Sequence, residues 1–134
     1  MTHYVGILDG VENTWGVRVP DLPGCHGGGE TAEAAIADAI SAAREWAEHH
    51  NAKGAAMPAS RPLRQIIRDG ELDVRAGETA VMIPLLLDSG RPVRANLSLD
   101  AALLEAIDEA ARARGLTRSA FIASAAREKI MAEG

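Results

Sequence analysis

Three side chains in the last third of the chain, Arg94, Asn96 and Ser98, are of the types that read base edges in a DNA major groove: Arg against guanine, Asn against adenine and Ser against either. They recur every second residue within Val93-Arg94-Ala95-Asn96-Leu97-Ser98-Leu99, and the residues between them are apolar. A period of two puts the three polar groups on one wet face of a strand and Val93, Ala95, Leu97 and Leu99 on the dry one. An ordinary half-buried strand shows the same alternation, so the flanking sequence has to decide between the two.

The flanks supply two short helical patterns. Asp100 is placed to cap a helix over 100–114, whose apolar Leu103, Leu104, Ile107, Ala110 and Ala111 form a single stripe. Gly115 stops it, and Thr117 caps a second helix with Phe121, Ile122, Ala125, Ala126 and Ile130 on one side. One strand and two helices are too little to close a core, and a lone strand leaves its backbone groups unpaired. A two-fold dimer answers both needs: the strands of two chains pair antiparallel, their dry faces rest on four helices, and the wet ribbon faces outward. Such a ribbon fits a major groove.

These residues resemble the ribbon-helix-helix family of DNA-binding proteins, on Arg94 to Leu99, on the helix that follows, and on Gly115-Leu116-Thr117-Arg118-Ser119 opening the last helix. The resemblance implies base contacts from Arg94, Asn96 and Ser98. It also implies a DNA phosphate held at Thr117, Arg118 and Ser119, where free N–H groups and the helix dipole favour an anion.

Charge is distributed unevenly. Residues 1–90 carry 7 Lys and Arg against 13 Asp and Glu, a net of −6, whereas residues 91–134 carry 7 against 6, a net of +1. A segment that is nearly neutral has little sequence-independent attraction for DNA, so binding there depends on specific contacts and on a symmetric dimer. A single cysteine, Cys25, excludes an intramolecular disulfide framework. With no apolar run of signal or membrane length, the expected location is the cytoplasm. Aromatic residues make up only 3% of the chain, which argues against a stacking platform for single-stranded nucleic acid.

The first part reads as α+β. His3 to Asp9 is a predicted strand with Val5 and Ile7 on one side and a turn beginning at Asp9-Gly10; Trp15, Val17 and Val19 mark a second strand ending at Pro20, so the two form a hairpin. A loop rich in proline and glycine follows, with a short edge strand around Cys25 to Gly28. Thr31 caps a long helix reaching about His49, with Ala32, Ala35, Ile36, Ala39, Ile40, Ala43, Trp46 and Ala47 laid against the sheet; alanines there predict a close approach. Residues 53–67 read as loop, with a short helix at 61–69. Val81 to Leu87 is nearly continuous in apolar residues and is expected to be an internal strand, with Pro84 as an odd member. Asp88-Ser89-Gly90-Arg91-Pro92 has the composition of a hinge, which divides the chain into domains 1–88 and 91–134.

The N-terminal domain, on its strand order, on Pro20-Asp21-Leu22-Pro23-Gly24-Cys25 and on Gly29-Glu30-Thr31, resembles that of HicB-type antitoxins. That family joins an antiparallel sheet on one long helix, similar to a reduced ribonuclease H fold, to a DNA-binding tail. The resemblance implies a non-enzymatic antitoxin without cofactors, whose acidic domain neutralises a small basic mRNA-cleaving toxin of HicA type. Its ribbon-helix-helix domain would repress the shared operon as a homodimer, with further pairing of N-terminal domains into a tetramer allowed.

Two alternatives stay open at the level of sequence. A residual metal-dependent nuclease would need carboxylates converging on metal ions, and Asp9, Asp21, Glu30 and Asp38 are available. Asp9 and Asp21, however, sit at predicted turns, where Asp is favoured for its backbone hydrogen bonds. An orphan repressor without a toxin has the same sequence signature. No Cys or His spacing matches a zinc site, His49 and His50 point about 100° apart on a helix, and Cys25 reads as a small buried filler. Trp15 and Trp46 are expected to face each other across sheet and helix as core.

Overall fold

The structure, a computed structural model, describes residues 2–87 and 92–133. The chain divides into two compact units, Met1–Asp88 and Ser89–Gly134. Most of the expected hinge, residues 88–91, lies outside the described residues.

The first unit is a four-stranded antiparallel sheet of β1 (Thr2–Val11), β2 (Thr14–Arg18), β3 (His26–Gly29) and β4 (Thr79–Leu85) in the spatial order β3-β2-β1-β4. One face carries α1 (Ala32–Ala52), so the unit is α+β as read from the sequence. Thr31 caps α1 by accepting the Ala34 N–H at 3.0 Å. Ala35, Ala39, Ala43 and Ala47 are fully buried, one per turn, against Tyr4, Leu8, Val17, Val19 and Ile83. The helix can come this close only because β3 presents glycine to it: a Cβ on Gly27 would stand 2.3 Å from the Ala39 backbone nitrogen and 2.7 Å from the Ala35 carbonyl oxygen.

The other face is covered over β1 and β4 by the short helix α2 (Leu63–Arg68), whose Ile66 is buried on Val5 and Ile7 beside Leu72 and Ala80. Val5 and Ile7 thus share a face, as the alternation required. A single 3-10 turn, Val74–Ala76, leads into β4.

Three sequence expectations are corrected here. The β1–β2 turn is not at Asp9-Gly10; pairing runs on through Asp9↔Gly16, Gly10↔Trp15 and Val11↔Thr14, and the chain reverses at Glu12 and Asn13, with Glu12 at φ +51°. Gly10 is there for room, since a Cβ would lie 2.6 Å from the Trp15 ring. β4 is an edge strand, not an internal one: its apolar run reflects cover on both faces at Ile83, Pro84 and Leu85, and proline is tolerated at an edge. Trp15 and Trp46 are each half-buried at the margin of the core; Trp15 Nε1 donates to the Glu12 carbonyl (2.9 Å), and Trp46 Nε1 to the Pro23 carbonyl (2.9 Å), with the His50 ring stacked on Trp46 at 4.6 Å.

The second unit has α3 (Ala101–Ala113) and α4 (Arg118–Glu133) packed on each other. Asp100 caps α3 through the N–H groups of Ala102 (3.0 Å) and Leu103 (3.3 Å). Its C-terminus is closed by Gly115 (φ +67°), with the Leu116 N–H on the Ala111 carbonyl and the Gly115 N–H on that of Arg112. Thr117 caps α4 through the Ala120 N–H (3.1 Å). Residues 92–100 belong to neither helix nor strand in the single chain.

Candidate nucleic-acid interface and partner surfaces

Arg94, Asn96 and Ser98 are all exposed, but so are the apolar residues between them: Val93 is 87% exposed and Leu97 62%. Leu103 on α3, at 50%, belongs to the same unsatisfied set, and Ala111 is the one buried residue of this unit among the described residues. The segment and the two helices enclose an open concavity on which Asn96, Ser98, Arg118 and Ser119 converge, floored by Leu104 and Ile122. Two of the three expected base-contact residues and two of the three expected phosphate-contact residues therefore border one hollow. Arg94 does not line it, and the Thr117 hydroxyl is taken by its own helix.

At the start of α4 the N–H groups of Arg118 and Ser119 have no intrahelical acceptor, the ordinary condition of a first turn. The guanidinium of Arg118 has a partner inside the unit: Nε donates to Asp108 Oδ1 and Nη2 to Asp108 Oδ2, each at 2.8 Å. This hydrogen bond holds the Asp108 carboxyl below the usual carboxylate range and raises the Arg118 guanidinium. Nothing in the sequence pattern announces the pair, because its partners stand ten residues apart across the Gly115 turn. Arg114, beside that turn, lies 5.6 Å over the Phe121 ring.

Of the four N-terminal carboxylates weighed for catalysis, Asp21 and Asp38 are held in hydrogen bonds within the unit. Asp21 accepts from Arg61 twice, from its backbone N–H (2.7 Å) and from Nε (2.6 Å), while Arg61 also reaches Asp69 (2.8 Å) and Glu71. Three acids around it raise the Arg61 guanidinium, and the Asp69 carboxyl is lowered by Gln65 and then by Arg61. Arg18 forks onto Glu78 (2.8 and 3.1 Å) and donates to the Glu71 carbonyl (3.0 Å), tying β2 to the segment before β4. Asp38 accepts the Gly28 N–H (2.9 Å), and Asp9 and Glu30 lie exposed. Among the described residues no three His, Cys, Asp or Glu groups are arranged to hold a metal ion, and no helix is long and apolar enough to cross a membrane. Cys25 is buried, which pushes its thiol up, and His50 Nε2 lies 2.9 Å from the Ala56 carbonyl oxygen.

The chain thus joins a compact acidic α+β unit to a small helical unit with an unfilled apolar face. The profile of the HicB_like antitoxin of bacterial toxin-antitoxin systems matches residues 4–126, and the chain belongs to that family. Among solved structures it is similar to the antitoxin HicB of Burkholderia pseudomallei, at 28% identity over 97% of each chain and a TM-score of 0.54. It is likewise similar to antitoxin HicB3, at 26% identity over 97% of this chain and 98% of that one, with a TM-score of 0.53. A chain of a HicA3 and HicB3 toxin-antitoxin complex shares the fold over 64% of this chain and 100% of its own, at 18% identity and a TM-score of 0.53. No curated protein matched the chain.

Proposed function

We propose that this antitoxin neutralises a small basic mRNA-cleaving toxin of HicA type through residues 1–88. We further propose that it represses its own operon through a ribbon-helix-helix dimer formed by residues 91–134. The observation that carries the second half is the exposure of Val93, Leu97 and Leu103 in a unit that buries almost nothing. Leaving side chains of this size in water forgoes about 1.5 to 3 kcal/mol each, which a partner chain recovers. Pairing residues 93–99 of two copies would also satisfy the backbone groups of a segment that has no ladder of its own. It would present Arg94, Asn96 and Ser98 together as an outward ribbon, with Thr117, Arg118 and Ser119 flanking it for the phosphates. The toxin half is supported by the net −6 of residues 1–90 and by the HicA3 and HicB3 complex, whose chain shares this fold.

Three measurements test the proposal. Sedimentation of the full chain at micromolar concentration should give a dimer or a larger species; a monomer with an ordered C-terminal unit would overturn the ribbon. Duplex DNA from upstream of its own reading frame should bind more tightly than unrelated duplex. Growth rescue by residues 1–88 against a HicA-type toxin should be retained, though weaker than with the full chain because avidity is lost. Failure of a soluble, folded fragment to rescue would move toxin binding to the C-terminal half.

A further inference from the structure

The Asp108–Arg118 pair lies where the proposed DNA surface has most use for a cation. Arg118 opens α4, beside the first-turn N–H groups that would receive a phosphate, and it borders the same concavity as Asn96 and Ser98. Asp108 engages the Nε and Nη2 edge of its guanidinium in a planar fork, the geometry in which arginine binds carboxylate and phosphate alike. A phosphate approaching α4 therefore competes with a carboxylate for that edge, and the pair together contributes no net charge. The side chains are 54% and 32% exposed, so solvent screens the pair and its worth to stability is small. Arg112 adds to the positive field at Asp108, and both partners are firmly ionised at neutral pH.

On the reading that the C-terminal unit binds DNA, we infer that Asp108 is a brake on sequence-independent binding: it occupies Arg118 and removes one phosphate contact per subunit. Phosphate contacts raise affinity for every duplex alike, whereas base contacts separate the operator from the rest. In a unit of net +1, giving up one such contact leaves discrimination to Arg94, Asn96 and Ser98.

The test is salt-dependent binding of the full-length protein to a short labelled duplex of random sequence and to its own upstream DNA. Asp108→Asn keeps shape and removes the charge; Asp108→Ala guards against a residual amide contact. Either should tighten random-duplex binding roughly threefold to tenfold. Either should also steepen the slope of log K against log salt by about 1 per subunit, the signature of one added phosphate contact. The preference for the upstream DNA should fall correspondingly. Glu109→Gln changes net charge equally on the neighbouring position and should leave the slope unchanged. In an Arg118→Ala background, Asp108→Asn should do nothing. If Asp108→Asn weakens binding, the carboxylate orients Arg118 toward DNA and the inference is overturned; if it tightens binding as much without Arg118, general charge is the cause and the inference is again overturned. Wild-type protein that binds no duplex at all, upstream DNA included, would instead sink the DNA-binding reading on which the inference rests.

Discussion

In the N-terminal unit Tyr4, Ile7, Leu22, Ile66 and Ile83 are all shut away from water by a single chain; in the C-terminal unit Val93, Leu97, Leu99 and Leu103, apolar residues of comparable size, face it. The first unit has helices on both faces of its sheet and closes a core within one chain, while Val11, Ile67, Val74 and Met82 stay exposed on its surface. The second has one layer of two helices and, among the described residues, a segment outside any strand, so its apolar residues lie open. On the proposed reading the difference separates two jobs: the first unit would be offered to a toxin, while the second, completed by another copy, would gain the two-fold symmetry that palindromic DNA requires.

Breaking the core of the first unit should have the largest effect. Ile83→Ala is expected to cost about 2 to 5 kcal/mol in urea unfolding of the N-terminal unit, with a midpoint independent of protein concentration. A concentration-dependent midpoint would mean that this unit, too, is completed by a partner. Next comes Leu97→Ser in the second unit. The single chain already exposes Leu97, so it should cost nothing if the chain works alone, and about 2 kcal/mol or more if a partner buries it. The C-terminal transition is expected to fall and to depend on concentration, and an unchanged transition would erase the contrast between the units. Arg94→Ala and Asn96→Ala should each weaken binding to upstream DNA by roughly 1 to 3 kcal/mol, while calorimetry shows both units melting as before and co-purified toxin is unchanged. Smaller still, Thr31→Ala and Asp100→Ala each remove a cap worth about 1 kcal/mol, and each should lower only the melting of its own unit.

Acid provides the mildest probe. The Glu78 carboxyl is held below its ordinary range by Arg18 and by the Asp73 N–H. A carboxylate whose folded pKa is depressed contributes stability that is present above its unfolded value, near 4.3, and is lost as pH falls through the lower folded value. The N-terminal unit should therefore lose stability as pH drops below about 4, and Glu78→Gln should flatten that dependence without touching the C-terminal unit.

Local periodicity made much of this legible in the sequence. The alanine stripe and Thr31 defined α1, and Asp100, Gly115 and Thr117 bounded α3 and α4 within a residue or so, because caps and helical period are local properties. Position within a sheet is not local. Val81 to Leu87 reported that both faces of a strand are covered and said nothing about its neighbours, so an edge strand read as an internal one. Asp9-Gly10 read as a turn because glycine serves both reversal and close approach, and only the position of Trp15 tells which. Of the candidate site, the alternation of Arg94, Asn96 and Ser98 with apolar residues was visible in one dimension, though residues 92–100 form no strand in the single chain, whereas the fork from Arg118 to Asp108 depends on how α3 and α4 fold back on each other.

Asp38 stood among the carboxylates first weighed for catalysis, and its hydrogen bond to the Gly28 N–H gives it another task. β3 is four residues long, three of them glycine, at the rim of the sheet, and a bare rim of that kind invites strands from other chains. By accepting the Gly28 N–H, the Asp38 carboxylate occupies a backbone donor that an incoming strand would otherwise take, at a point of the rim where glycine offers no side chain to stand guard.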